Sequence, residues 1–482
     1  MNPPAPSADA VLARLRERQA GDLPVLGGRT LAYVYDSGLA EVDRVGREAV
    51  AAYAGSNGLD PTAFPSLLQM ENELVGFAAR LLDAPTGPDG AVGTVTSGGT
   101  ESVLLAVQGA RDSRPDVTGP TMVIPSTAHA AFHKAAHYFG VEARVVPVGA
   151  DFRADAAAMA AAIDDSTVLV VASAPSYAHG VVDPVTDIAA AAAARGVRCH
   201  VDACIGGWVL PYAARLGRAV PAWTFAVPGV TSISVDLHKY AYAPKGSSLL
   251  LHRSPGHRRP QFFASAAWPG YTMLNATLQS TKSGGPLAGA WAVVTTLGDA
   301  GYERLAADVL AAVDRIVAGV AELPELHVVA APDSTLLALG TDATCDPFTV
   351  CDEMAARGWY VQPQMRFAGA PATVHLSVSA ATLAGVEDLL AALRDSVAAA
   401  VAAGPVRVDP DVAAYVEALD PAHLSDADFE GLLAASGLAA AGADGALVLP
   451  ERMAEVNALL DLASPAMREA LLVTFLDRLA RP

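Results

Sequence analysis

A chain of 482 residues that is 52% hydrophobic and 17% charged can bury a large core, and its length points to two or three domains. Its formal net charge of −19 repels phosphate backbones and anionic headgroups, which argues against nucleic acid as a partner. The opening residues lack the apolar core of a secretion signal, and runs such as DIAAAAAARG are too short to span a bilayer, so no integral membrane segment is expected.

Residues 1–60 read as an N-terminal arm with one helix at 40–54. Residues 61–300 read as a large domain. There β-branched runs (TMVIP at 121–125, ARVVPV at 143–148, TVLVVASAP at 167–175, RCHVDA at 198–203, TSISVD at 231–236) alternate with helical stretches at 128–139, 155–163 and 186–195. Near-continuous apolar strands separated by helices predict an α/β domain with a mostly parallel, doubly covered sheet. Residues 301–404 open with a long helix and continue as short strands, a smaller α/β domain. Residues 405–482 read as a helical, acidic appendage without a cluster of His, Cys or Lys. The four cysteines (Cys199, Cys204, Cys345, Cys351) form no CxxC pair and fit a reduced, cytoplasmic protein.

In such a sheet ligands sit at the carboxyl ends of the strands. In chain order, Ser97, Gly98, Gly99 and Thr100 form a glycine-bearing loop just before a helix, with Glu101 in its first turn. The loop is either a phosphate cradle or an ordinary helix start. His129 stands at a strand-to-helix junction. His133 and His137 follow at helical spacing, but no cysteine or carboxylate accompanies them, so no metal site is read there. Asp202 ends an apolar strand, where a carboxylate must be paired, cap the next turn or face a site.

SVDLHKYAYAPKGSS, residues 234–248, is the most informative stretch. The chain has four lysines against 28 arginines, yet Lys239 and Lys245 both fall here, beside His238 and Tyr240. A desolvated lysine can lose its proton and attack a carbonyl, which arginine cannot. A phosphate loop, a histidine, an aspartate and such a lysine in one α/β domain match the needs of pyridoxal 5'-phosphate.

The motifs TSGGTES, STAHAAFHKAAHYF, SAPSYAHGVVDPV, HVDACIGGW and SVDLHKYAYAPKGSS also resemble those of sphingosine-1-phosphate lyases, within the group II pyridoxal-phosphate-dependent decarboxylase family. The resemblance covers residues 28 to 400. It implies the fold-type I architecture (aspartate aminotransferase-like) and a homodimer with shared active sites that acts on a small amine. It further implies that Lys239 is the Schiff-base lysine, that Asp202 pairs with the pyridine nitrogen and that His129 stacks on the ring. Gly99, Thr100 and His238 then hold the cofactor phosphate, Thr281 reaches the phosphate of the other subunit, and Lys245 and Tyr35 contact substrate or move protons. Cys204, inside the aspartate motif, is expected as a wall residue.

Four sites depart from the family pattern: the pair Leu31-Ala32 replaces Ser-Gly, Asp60 a histidine, Lys282 an arginine and Ser176 an asparagine. The first three are expected near a substrate phosphate, and Asp60 would repel it. Cleavage of the Cα–Cβ bond of a phosphorylated 2-amino-3-hydroxy compound, to an aldehyde and phosphoethanolamine, is the expected reaction. L-amino-acid decarboxylation is the alternative, and an idle cofactor-binding subunit a third reading.

Overall fold

The computed structural model of the chain describes residues 5–435 and 450–480. Seven strands form its central sheet: β1 (Val92–Thr96), β2 (Thr121–Pro125), β3 (Glu142–Val146), β4 (Thr167–Ser173), β5 (Arg198–Asp202), β6 (Val230–Val235) and β7 (Ser248–His252). Their order is β1-β7-β6-β5-β4-β2-β3. β7 runs antiparallel to both neighbours, and every other pairing is parallel.

Every residue of β4 is buried, as a strand covered on both faces requires. Alternate residues go to different cores: Val170 and Ala172 pack with Ile188 and Ala192 of helix 185–194, while Leu169 and Val171 pack with Leu104 and Val107 of helix 99–112 and Phe132 of helix 131–139. The period-2 geometry of a strand thus puts one helical layer on each face. The sheet's carboxyl edge is left free for polar side chains.

The small domain is an antiparallel four-stranded sheet (326–328, 336–341, 373–377, 362–364 in spatial order) with helices 347–356 and 386–403. Helix 284–320 joins it to the large domain and breaks at Gly298, whose φ of 56° suits a residue without Cβ. The arm between residues 28 and 32 is sewn onto the small sheet: Leu31 N–H donates to the Tyr360 carbonyl (2.8 Å) and Ser377 N–H to the Leu31 carbonyl (2.7 Å). Leu31 and Ala32 are buried. The arm holds a second helix, 8–19, besides the expected one at 40–52; Ser7 caps it and none of its residues is buried.

Helices 410–418, 426–435, 454–462 and 465–479 have a small core of their own around Val416, Phe429, Leu459 and Met467. They dock on the small domain by charge. Asp352 accepts the N–H groups of Met453 and Ala454 at 2.9 Å each, at the start of helix 454–462. Asp461, 3% exposed, holds the Arg366 backbone and guanidinium at 2.6 Å. No helix among the described residues is long and apolar enough to cross a membrane.

Candidate active site

Five loops leave the carboxyl ends of β1, β2, β4, β5 and β6 and meet around a cavity of about 360 Å³. After β1, Gly99 and Thr100 head helix 99–112, where backbone N–H groups have no intrahelical acceptor. A Cβ on Gly99 would stand 2.8 Å from Asp236 Oδ1 and Cys204 Sγ, so only glycine lets this turn approach β6. Glu101 is buried and bridges two backbones, accepting from Ser97 N–H (2.6 Å) and Leu278 N–H (2.8 Å).

After β6, Lys239 Nζ lies 2.8 Å from the buried Asp236 carboxylate. Asp236 also accepts from Ser248 Oγ (2.6 Å), and Ser102 and Thr96 extend this hydroxyl chain (3.1 and 2.7 Å). Burial pushes the Asp236 carboxyl up, but the Lys239 ammonium, His238 and the hydrogen bonds hold it below its ordinary value. Burial pulls Lys239 down, yet Asp236 leaves it well above its ordinary value. The pair is charged. His238 Nδ1 accepts from Ser247 N–H (3.3 Å), which turns its ring into the same cavity.

Lys245 lies on the far side of this lysine. Its Nζ donates to the carbonyls of Tyr33 (2.6 Å) and His238 (3.4 Å) and sits 5.0 Å from the Tyr35 ring centre. Burial and the Lys239 ammonium lower it to about 8. Tyr35 packs edge-on against Tyr240 (4.9 Å). Burial raises its phenol, and Lys239 partly offsets that rise. Tyr33, with φ 65°, takes up a left-handed conformation uncommon for a non-glycine residue, and its carbonyl is the one that receives Lys245.

His129 follows β2. Its Nδ1 accepts the Ala131 N–H (3.1 Å), which fixes the ring at the start of helix 131–139 and leaves Nε2 to carry the hydrogen of a neutral imidazole. Asp202, at the end of β5, accepts from Cys204 N–H (3.1 Å) and Ser234 Oγ (3.4 Å) while still lining the cavity. It therefore caps the turn and faces the site at once. Cys204 forms wall; burial raises its thiol well above the ordinary value.

The structure thus brings Gly98, Gly99, Thr100, His129, Asp202, His238 and Lys239 to one cavity, with Lys245 and Tyr35 beside it. Thr281 is exposed and is not part of the lining. Two of the residues expected near a substrate phosphate have partners of their own in the structure. Asp60 is exposed and binds the Thr62 N–H and hydroxyl (2.8 and 2.7 Å), because an Asx turn satisfies it locally. Lys282 is paired with Glu71 (2.8 Å), whose other oxygen takes the Val95 N–H (2.7 Å). Glu71 and Lys282 thus serve the open edge of β1, and Asp60 closes its own turn. Ser176, buried with its Oγ unpartnered among the described residues, stands next to Tyr177, which lines the cavity.

Sequence reasoning missed Asp236 and Tyr177. The signal for Asp236 was present: SISVD ends a buried strand with a carboxylate just as RCHVD does. His133 and His137 are exposed, and no group of three or more metal-capable side chains occurs among the described residues.

An ammonium, three carboxylates, two imidazoles and a helix N-terminus around a glycine-shaped hollow of this size fit pyridoxal 5'-phosphate, with its aldehyde, ring nitrogen, ring face and phosphate. Comparisons agree. A model of the pyridoxal-dependent decarboxylase conserved domain matches residues 38–339, and one of the C-terminal HTH domain of pyridoxal-dependent enzymes matches residues 410–478. The sphingosine-1-phosphate lyase of Arabidopsis thaliana is 39% identical over 355 residues, 73% of this chain and 64% of that one. That of Dictyostelium discoideum is 37% identical, over 73% of this chain and 65% of the relative. The chain therefore spans just under two thirds of these relatives' length. The structure of a Burkholderia pseudomallei sphingosine-1-phosphate lyase superposes with a TM-score of 0.77 at 32% identity, covering 83% of this chain and 92% of that one. A Lactobacillus brevis glutamate decarboxylase (0.74 at 17% identity) shares the fold. The chain belongs to the pyridoxal-dependent decarboxylase family, as a sphingosine-1-phosphate-lyase-like member whose cofactor is pyridoxal 5'-phosphate.

Proposed function

We propose that the protein is a carbon–carbon lyase that cleaves the Cα–Cβ bond of a phosphorylated 2-amino-3-hydroxy substrate, giving an aldehyde and phosphoethanolamine. The observation that carries this reading is Lys245, a second lysine beside Lys239 with its ammonium lowered to about 8. Cleavage of this bond needs a base for the 3-hydroxyl proton and an acid to return a proton to the α-carbon, and decarboxylation needs no hydroxyl base. A group with a pKa near 8 serves as that base close to neutral pH.

Pyridoxal phosphate supplies a sink for the electrons left at the α-carbon. Lys239 is assigned to hold its aldehyde carbon and Asp202 to keep its ring nitrogen protonated. His129 supports the ring; Gly98, Gly99, Thr100 and His238 bind the phosphate. Lys245, with Tyr35 against it, takes the 3-hydroxyl proton as the bond to the α-carbon breaks and the aldehyde leaves; the α-carbon is then protonated from Lys239 or Lys245. All atoms of the substrate are recovered in the two products.

The active form is read as a cytoplasmic homodimer in which Thr281 completes the partner's phosphate site. Exposed apolar side chains at Val11, Leu12 and Leu15 of the arm and at Phe263, Leu274 and Leu278 near Thr281 support a second copy there. The four unpaired, buried cysteines fit a reducing compartment. L-amino-acid decarboxylation is the second reading, favoured by Lys282: with its ammonium tied to Glu71, this protomer offers one cation fewer to a substrate phosphate.

Purified protein supplied with pyridoxal phosphate, given a phosphorylated sphingoid base or a mixture of L-amino acids, should release aldehyde from the first and no CO₂ from the second. CO₂ without aldehyde would reverse the assignment.

A further inference from the structure

A second cavity, of about 740 Å³, opens beside the cofactor cavity, and His129 and Tyr177 belong to the walls of both. Its other walls come from three separate regions. Val148 and Phe152 follow β3, Met365 and Phe367 lie in the loop between small-domain strands 362–364 and 373–377, and Arg468 comes from the C-terminal helical domain.

The lining is apolar in character and contains no carboxylate. Phe152 stacks on His179 at 3.9 Å, and burial lowers that imidazole to about 4, so it stands there neutral. The guanidinium of Arg468 is turned to the carbonyls of Leu460 (2.9 Å) and Asp461 (3.4 Å) at the end of helix 454–462, where it meets the negative end of the helix dipole. The loop carrying Met365 and Phe367 is clamped to the same helix by the Arg366–Asp461 pair. The C-terminal domain therefore builds this cavity twice, by its own Arg468 and by fixing the loop opposite.

The domain does not read as a nucleic-acid binder despite the helix-turn-helix match. Residues 410–478 carry 12 acidic side chains against 3 basic ones, a balance that repels phosphate backbones. A mostly apolar chamber without carboxylates, whose one guanidinium is turned to the carbonyls of Leu460 and Asp461, continues from the cofactor site and suits an apolar chain attached to the reacting carbon. We propose that this chamber receives the hydrocarbon chain of the substrate and that the C-terminal helical domain is a wall of the substrate site. The inference rests on the lyase reading above and names the end of the substrate that selects chain length.

The test uses the full-length holoenzyme and two substrate series of graded chain length. Phosphorylated 2-aminoalkanes lacking the 3-hydroxyl bind without being cleaved, and the shift they cause in the cofactor absorbance reports binding alone. The matching 3-hydroxy compounds report cleavage. In the unaltered protein, half-saturation by the non-cleavable series should fall about fourfold for each added CH₂ until the chamber is filled. Val148→Trp, which fills the chamber from the wall away from the cofactor, should weaken long chains at least tenfold and leave the shortest unchanged. Ala370→Trp, on the opposite wall, should do the same, so a folding defect in one variant does not decide the matter. No chain-length dependence, or an equal loss for short and long chains in both variants, would overturn the proposal. Cleavage without chain-length dependence would keep the lyase reading and remove the chamber; chain-length dependence without cleavage would do the reverse.

Discussion

The cofactor cavity and the chamber beside it share two residues and are built on different principles. The groups of the cavity follow the ends of strands in one sheet, and some are oriented by hydrogen bonds a few residues away, as with His129 on Ala131 and Asp202 on Cys204. The chamber is assembled from the loops after β2, β3 and β4, a loop of the small-domain sheet and a separate helical domain held on by Arg366–Asp461 and by Asp352. Catalytic groups that must sit within a fraction of an ångström are placed on the rigid sheet, and the walls that choose among substrates are placed on segments that can vary. The comparison also explains why the departures at Asp60 and Lys282 leave the cofactor side untouched: neither lines its cavity.

Substitutions break this contrast in graded steps. Lys239→Ala should abolish the visible absorbance of the bound cofactor and all turnover; an unchanged spectrum would remove the cofactor assignment. Asp236→Asn leaves Lys239 without its partner and should cost about 3 kcal/mol, the low end for a buried pair because Lys239 borders a cavity. The sign with pH follows from the shifts. Asp236 titrates below its unfolded value of about 4 and Lys239 above its unfolded value of about 10. The pair's contribution is therefore present between those limits, lost in acid as pH falls through the lowered Asp236 value and lost in base as pH rises through the raised Lys239 value. Urea melts of the two forms between pH 3 and 7 should converge toward the acid end.

Lys282→Ala should act on the scaffold and hardly on chemistry. It leaves the Glu71 carboxylate, 15% exposed, without its cation beside β1, at an expected cost of about 2 kcal/mol, with the cofactor spectrum unchanged at permissive temperature. The smallest effect belongs to Asp60→His. With Asp60 exposed and bound to Thr62, the melting temperature should not move, and any gain in preference for phosphorylated substrates would place Asp60 near the bound substrate.

Strand–helix alternation, the glycine loop and the paired lysines were legible in the sequence because each is a local pattern with a local cause. The ends of β4, β5 and β6 fall within two residues of the runs expected there. β1 and β7 were not read as strands: VGTVT carries a glycine, and SLLLH becomes a strand by closing antiparallel against β1 and β6. Helix 8–19 shows no buried stripe, so no apolar period announces it. The Asp236–Lys239 contact lay inside a quoted motif, yet nothing in the spelling distinguishes it from a turn. Glu71–Lys282 and the Arg468 wall join residues hundreds of positions apart, and only the folded chain brings them together.

The claim at the centre is that a second lysine gives a decarboxylase-type cofactor site its carbon–carbon lyase chemistry. The pH dependence of aldehyde release under saturating substrate, in the unaltered protein and in Lys245→Met, tests it most directly. The expected result is a rate that rises with pH through about 8 as the Lys245 ammonium loses its proton, and a rate at least a hundredfold lower without that limb in the variant, on the order of a lost general base, while the cofactor spectrum stays intact. An unchanged rate and profile in Lys245→Met would contradict it.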